Sequence, residues 1–147
     1  SADALWENGF GVVFPEIEGV GAFDAVACTL DLIESLQPGL VIPGHGSIFE
    51  DVATALQVAR QRLHHFMASP RRHAQHAAKV LIKFKLLENQ RIDVEAFRQW
   101  VSATTYFSTL HQAYFSQEQF DPWVDALLHD LVRSGAARMD EQMLLNQ

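Results

Sequence analysis

Apolar residues recur along this chain with helical spacing for most of its length. Phe23, Val26, Ala27, Leu30, Ile33 and Leu36 advance in steps of three and four, which predicts a helix over 23–36 with one buried stripe. Pro38-Gly39 stops it, and Leu40-Val41-Ile42 reads as a short, fully buried strand. Phe49-Glu50-Asp51 opens a second helix whose stripe is Val52, Leu56, Ala59, Leu63 and Phe66. Ser69-Pro70 breaks it and marks a domain boundary, because proline disfavours helical geometry in the residue before it. Before these helices, residues 1–21 read as extended structure with glycine turns, Gly11-Val12-Val13-Phe14-Pro15 forming a strand ended by proline.

Beyond the boundary the pattern is nearly all helical. A helix over 73–88 carries Ala77, Val80, Leu81, Phe84 and Leu87, and Asn89-Gln90-Arg91 reads as a turn. Asp93 is placed to cap a helix bearing Val94, Phe97, Trp100 and Val101. Residues 106–115 have weaker helical character. Asp121-Pro122 carries the signature of a cap followed by proline in the first turn, for a helix that stops at Ser134-Gly135. The ending, Ala136 to Met139 and Met143 to Leu145, reads as a hairpin. Helices followed by a hairpin give the order of a winged-helix domain. The expected fold is therefore α/β over 1–70, followed by a mostly α, winged-helix-like domain over 71–147.

Composition adds limits. Hydrophobic residues make up 48% of the 147 and charged residues 20%, a globular rather than disordered balance. No apolar run reaches the roughly 20 residues that span a bilayer. The single Cys28 cannot form an internal disulfide, so a reducing, cytoplasmic setting is expected, with Cys28 as a small core residue. Ser1-Ala2-Asp3 has neither an initiating Met nor a secretory signal, which reads as a processed or excised chain. The net charge of −7 lies entirely in residues 1–70, which hold 9 Asp/Glu against 2 Lys/Arg. That acidity disfavours general nucleic-acid binding. Residues 71–147 are neutral, with a basic cluster at Arg71, Arg72, Lys79, Lys83 and Lys85.

The candidate chemistry sits at two places. His45 stands between glycines in Pro43-Gly44-His45-Gly46, where bare neighbours let an imidazole approach a metal or substrate. Asp3 precedes Leu5-Trp6 near the chain start. A carboxylate and an imidazole suit zinc, iron or manganese, but a catalytic zinc takes about three protein donors. The other histidines do not complete the set. His64 and His65 point about 100° apart on a helix. His73 and His76 share a face at a spacing that surface histidines often show by chance, and His111 and His129 read as structural or solvated. There is no phosphate loop, zinc-ribbon cysteine pair or nucleophile elbow.

The run Asp3-Ala4-Leu5-Trp6-Glu7-Asn8-Gly9-Phe10-Gly11, a helix, then Val41-Ile42-Pro43-Gly44-His45-Gly46 resembles the C-terminal half of a metallo-β-lactamase-fold hydrolase of the glyoxalase-II-like superfamily. The resemblance implies an αβ/βα half-sandwich. It also implies two divalent metals, zinc or else iron or manganese, with Asp3 bridging them and His45 holding one. Ala2 stands where glycine is frequent. Glu7 and Asn8 would line the substrate pocket. The region from Arg71 onward resembles the winged-helix extension of some members. The superfamily's His-x-His-x-Asp-His motif does not occur in these residues. The expected partners are therefore the N-terminal half of the same protein and a small-molecule substrate, with a homodimer as a further possibility and no membrane. This chain alone would be inactive, with apolar surface exposed around residues 1–45. Two other functions compete. One is a nuclease or nucleic-acid-binding module using residues 71–147. The other is a structural or dimerisation role for that region, built on Trp100, Tyr106, Phe107, Tyr114, Phe115, Phe120 and Trp123.

Overall fold

The computed structural model describes residues 3–19 and 21–147. Ser1, Ala2 and Val20 lie outside them, and with them the expectation placed on Ala2. The described residues form seven helices and one three-stranded antiparallel sheet, a mostly helical α/β arrangement. The chain separates into two compact units, Ser1–Pro70 and Arg71–Gln147.

In the first unit, α1 (Pro15–Glu18) is a single turn, α2 spans Ala22–Leu36 and α3 spans Val52–Ala68. The predicted stripes bury in large part, although Leu36 at the end of α2 is exposed. Leu30 from α2 and Val52, Leu56, Ala59 and Leu63 from α3 enter one core with Leu5, Phe10, Val13 and Phe49. Arg60 on α3 reaches across to Asp31 at 2.7 Å and Glu34 at 3.0 Å on α2. Asp51 caps α3 by accepting the Thr54 amide at 3.1 Å. The helix α2 ends at Leu36, two residues before Pro38, with Gln37 in the left-handed region at φ 45°.

Two strands expected here do not form. Residues 11–14 carry no strand pairing, and Pro15 begins α1 rather than ending a strand. Leu40-Val41-Ile42 contributes one isolated bridge, Val41 to Phe49, and its outer residues are exposed, Ile42 at 72%. The reason is pairing. A strand's backbone donors and acceptors need a neighbouring strand, and no other strand among the described residues of this unit lies alongside. The sheet of the expected half-sandwich is accordingly not formed by these residues. Cys28 is also exposed on α2, not in the core, because the buried stripe passes through Leu30 on a different face.

The second unit contains α4 (Pro70–Asn89), β1 (Arg91–Asp93), α5 (Val94–Ala103), α6 (Thr105–Tyr114), α7 (Phe120–Arg133), β2 (Ala137–Asp140) and β3 (Met143–Asn146). The sheet order is β1-β3-β2. The last strand is central, so Ile92 faces Leu144 on one side and Met139 faces it on the other. Arg91 was expected in a turn but pairs with Leu145. A three-residue strand is too short to show period two and gains its partner only at the far end of the chain. Asp93 caps α5 as expected, accepting the amides of Glu95 and Ala96 at 2.9 and 3.1 Å.

The buried face of α4 differs from the expected one. It carries His73, Ala74, Ala77, Ala78, Ile82 and Leu86, while Phe84 and Leu87 are exposed. The helix has apolar residues on adjoining faces, and the alanine-rich face permits closer approach. The cap of α7 is Gln119 rather than Asp121, which lies inside the first turn. Gly135, at φ 74°, ends α7, and the Ala136 amide returns to the Leu131 carbonyl at 2.9 Å.

Candidate functional site

Two closed loops of the first unit carry the site. Residues 3–11 fold back on themselves. The Gly11 amide donates to the Asp3 carbonyl at 3.0 Å, and inside that tie Trp6 and Gly9 exchange backbone bonds of 2.7 and 3.3 Å. Glu7 and Asn8 occupy the tip of this turn. Both glycines sit in tight places. Gly9 has φ 131°, and a Cβ there would stand 2.9 Å from Arg62 Nη1. A Cβ on Gly11 would stand 3.1 Å from the Asp3 Cβ and 3.8 Å from the Trp6 ring.

The second loop holds His45. Val41 and Phe49 exchange backbone bonds of 2.9 and 3.2 Å, pinching residues 42–48 into a closed excursion. Phe49 is buried, which anchors the base of the loop in the core. Gly46, at φ 91°, turns the chain back directly after the histidine.

The two loops bring together Asp3 and His45, 42 positions apart, with His45 Nδ1 at 2.7 Å from Asp3 Oδ1. The Trp6 indole N–H donates to the same oxygen at 3.1 Å. The His45 contact, reinforced by the Trp6 bond, holds the Asp3 carboxyl below the usual carboxylate range. At neutral pH Asp3 is thus a carboxylate and accepts only, so the proton between them belongs to His45 Nδ1. In the neutral imidazole, Nε2 then keeps its lone pair, and it meets no hydrogen-bond partner among the described residues. The side chains of His45 and Asp3 are 73% and 46% exposed. A pair this open to water contributes little to stability. The backbone ties of the two loops place it.

A cleft of about 200 Å³ adjoins His45 and is lined by Trp6, Glu7, Asn8, Gly46 and Ser47. A second, of about 270 Å³, has Asp3, Gly11, Val13 and Val26 on its walls. The four residues singled out from sequence therefore converge on one corner of the first unit. Two others join them unforeseen. Trp6 bridges Asp3 and His45, its ring meeting the imidazole edge-on at a centroid distance of 5.7 Å. Arg62 lies beneath the turn, 5.8 Å from the Phe10 ring centre and 5.4 Å from that of Phe66, with Nη1 3.4 Å from the Asn8 carbonyl. Burial lowers its pKa, yet an arginine remains charged at neutral pH. A tryptophan in a polar, glycine-rich turn was a signal for Trp6. No local pattern distinguishes Arg62.

The donor types fit a borderline divalent ion, but the set numbers two. No group of three or more His, Cys, Asp or Glu suited to a metal occurs among the described residues. His65 Nδ1 contacts the Gln61 carbonyl at 2.9 Å, and His73 is buried on α4 while the metal-pair spacing with His76 remains within one helix. His111 Nε2 donates to the Glu118 carbonyl at 3.0 Å, and its ring meets Phe120 edge-on and Trp123 at a tilt, a structural setting.

In the second unit the basic cluster is largely engaged. Arg71 pairs with Glu118 and lies 4.9 Å from the Phe115 ring centre. Lys79 binds Asp130 at 3.2 Å, and Lys85 binds Glu88 at 2.9 Å. Lys83 donates to the carbonyls of Ala136 and Gln147 and to Asn146 Oδ1 at 2.6–2.7 Å. No helix among the described residues is long and apolar enough to cross a membrane. Comparison with protein-family models, with curated proteins and with solved structures returns no match to this chain.

Proposed function

We propose that this chain is the ligand-bearing C-terminal portion of a metallo-β-lactamase-fold hydrolase acting on an ester, thioester or related bond. The observation that carries the reading is the Asp3–His45 pair, brought to 2.7 Å by two loops that share no sequence proximity. Both loops spend glycines and backbone bonds on placing side chains that add little to stability, which fits a site better than a structural contact.

In this reading Asp3 and His45 are metal ligands, and the remaining donors come from a segment outside these 147 residues. A divalent metal held there by Asp3 and His45 with further donors would supply an activated water near neutral pH and would polarise the carbonyl or phosphoryl oxygen of the substrate. The chain's own part is positional. Asp3 presents a carboxylate that stays ionised, and His45 presents an imidazole whose Nδ1 proton is fixed by Asp3. Glu7 and Asn8 offer polar side chains at the cleft beside His45 for orienting a substrate. The element order of the second unit, with its β1-β3-β2 sheet, supports the winged-helix-like reading of residues 71–147.

The test uses the full-length protein. Metal content and esterase or thioesterase turnover are measured for wild type, Asp3→Ala and His45→Ala. Both variants are expected to lose metal and turnover together, and unchanged values in both overturn the assignment.

For residues 71–147 a structural role is the better-supported second reading. The aromatic residues pack on one another, with Phe115 and Trp123 at 5.1 Å and Trp100 and Phe107 at 5.4 Å between centroids. Four of the five cluster cations already hold partners inside the unit, which leaves little charge for phosphate contacts. Salt-dependent binding of RNA or DNA by the full-length protein, lost on removing 71–147, would reverse that preference.

A further inference from the structure

We propose that Trp6 is the positioning residue of this site, selecting which oxygen of Asp3 is presented to a cation. The inference rests on reading Asp3 and His45 as metal ligands and adds a residue to them.

Asp3 Oδ1 is occupied twice, by His45 Nδ1 at 2.7 Å and by the Trp6 indole N–H at 3.1 Å. Oδ2 takes no hydrogen bond among the described residues. The two donors therefore hold the carboxylate by one oxygen and leave the other open. The same indole meets the His45 ring edge-on, 5.7 Å between centroids at an interplanar angle of 65°. One side chain thus restrains both candidate ligands.

Trp6 is itself held. Its backbone is tied to Gly9 in both directions, and Arg62 lies under that turn against the Asn8 carbonyl. The space at Gly11 admits the ring and Asp3 side by side. A phenyl ring would fill much of the same volume, so packing alone does not call for an indole. The N–H is the difference, and it is directed at the carboxylate. Donors that hydrogen-bond a ligating group typically change metal affinity about 10- to 100-fold when removed.

The experiment compares full-length wild type with Trp6→Phe, Asp3→Ala and His45→Ala. Zn²⁺ affinity is read by competition with a chromophoric chelator, and the thermal midpoint is read on the metal-free protein. The expected result is that Trp6→Phe loses about 10- to 100-fold in Zn²⁺ affinity with its midpoint unchanged. Wild-type affinity in Trp6→Phe overturns the inference. So does a fall in affinity matched by a fall in midpoint, which marks a packing role. A raised KM at unchanged Zn²⁺ affinity makes Trp6 a substrate contact instead and also overturns it. If Asp3→Ala and His45→Ala keep full Zn²⁺ affinity, the metal reading fails and this inference fails with it. A second measurement separates the two. In the metal-free protein the Trp6 indole N–H resonance is expected to move in Asp3→Ala, and an unmoved resonance removes the hydrogen bond on which Trp6 acts, whatever the metal result.

Discussion

The two units are similar in length and differ in how far they complete themselves. Residues 71–147 close a sheet, bury Phe97, Phe107, Leu110, Leu127 and Leu144 completely, and hold most of their cations in internal pairs. Residues 1–70 form a core from α2, α3 and the flanking loops, yet leave Ile17, Leu32, Leu36, Leu40, Ile42 and Ile48 substantially exposed. The candidate ligands lie in this second kind of region. Rigid, well-filled structure stabilises, whereas loops set on a smaller core carry side chains whose positions matter more than their burial.

The largest expected effect sharpens that contrast. Phe97 on α5 is 0% exposed, and Phe97→Ala should destabilise the protein by about 3–5 kcal/mol in urea unfolding. A cost below about 1 kcal/mol would mean that the second unit is less tightly packed than its burial indicates.

Next is Gly9→Ala. The substitution places a side chain at φ 131° and sets its Cβ 2.9 Å from Arg62 Nη1. Backbone strain of this kind costs about 1–3 kcal/mol, and the change should also displace Asn8 and Trp6. Chemical denaturation checks the first effect and the Trp6 indole resonance the second. Neutrality in both would show that the turn is not held as described.

Ile42→Ser probes the opposite end of the comparison. Ile42 is 72% exposed, so its replacement should change stability by less than about 0.5 kcal/mol. A loss of several times that amount in the isolated chain would show that this face is covered in solution.

The smallest effect concerns pH. Asp51 caps α3, and its bonds with Thr54 hold its carboxyl below the ordinary carboxylate value. The unfolded chain therefore binds a proton first as pH falls. The cap's contribution is complete above about pH 3.9 and is lost as pH drops through the lower folded value. Asp51→Asn keeps a capping side chain without a titrating group, so thermal melts between pH 2 and 6 should show a shallower acid limb. An identical acid limb would remove Asp51 from the pH response.

Much of the helical fold was legible because helix signals are local. Stripes, the cap at Asp93, and the stop at Ser134-Gly135 act within a few residues, and the structure places α2, α3, α5 and the terminal hairpin close to where they were read. Strands were read less well. Leu40-Val41-Ile42 has strand composition but lacks a partner, and Arg91–Asp93 lacks strand composition but has one. The same division holds at the site. His45 stood out by its glycine neighbours and Asp3 as a carboxylate, whereas Glu7 and Asn8 entered only through the family resemblance. Arg62 acquires its place, and Trp6 its contact with His45, only through contacts across the fold.

Sequence alone determined where helices run, where the chain turns sharply and which residue types bear metal-binding chemistry, since each depends on spacing and side-chain identity over a few positions. Tertiary structure alone decided which face of α4 is buried, which short segments pair as strands, and that Trp6 joins Asp3 to His45. Those outcomes depend on groups distant in the chain meeting within a few ångströms. Trp6 is the clearest case, with Asp3 close by in sequence and His45 brought to its ring only by the fold.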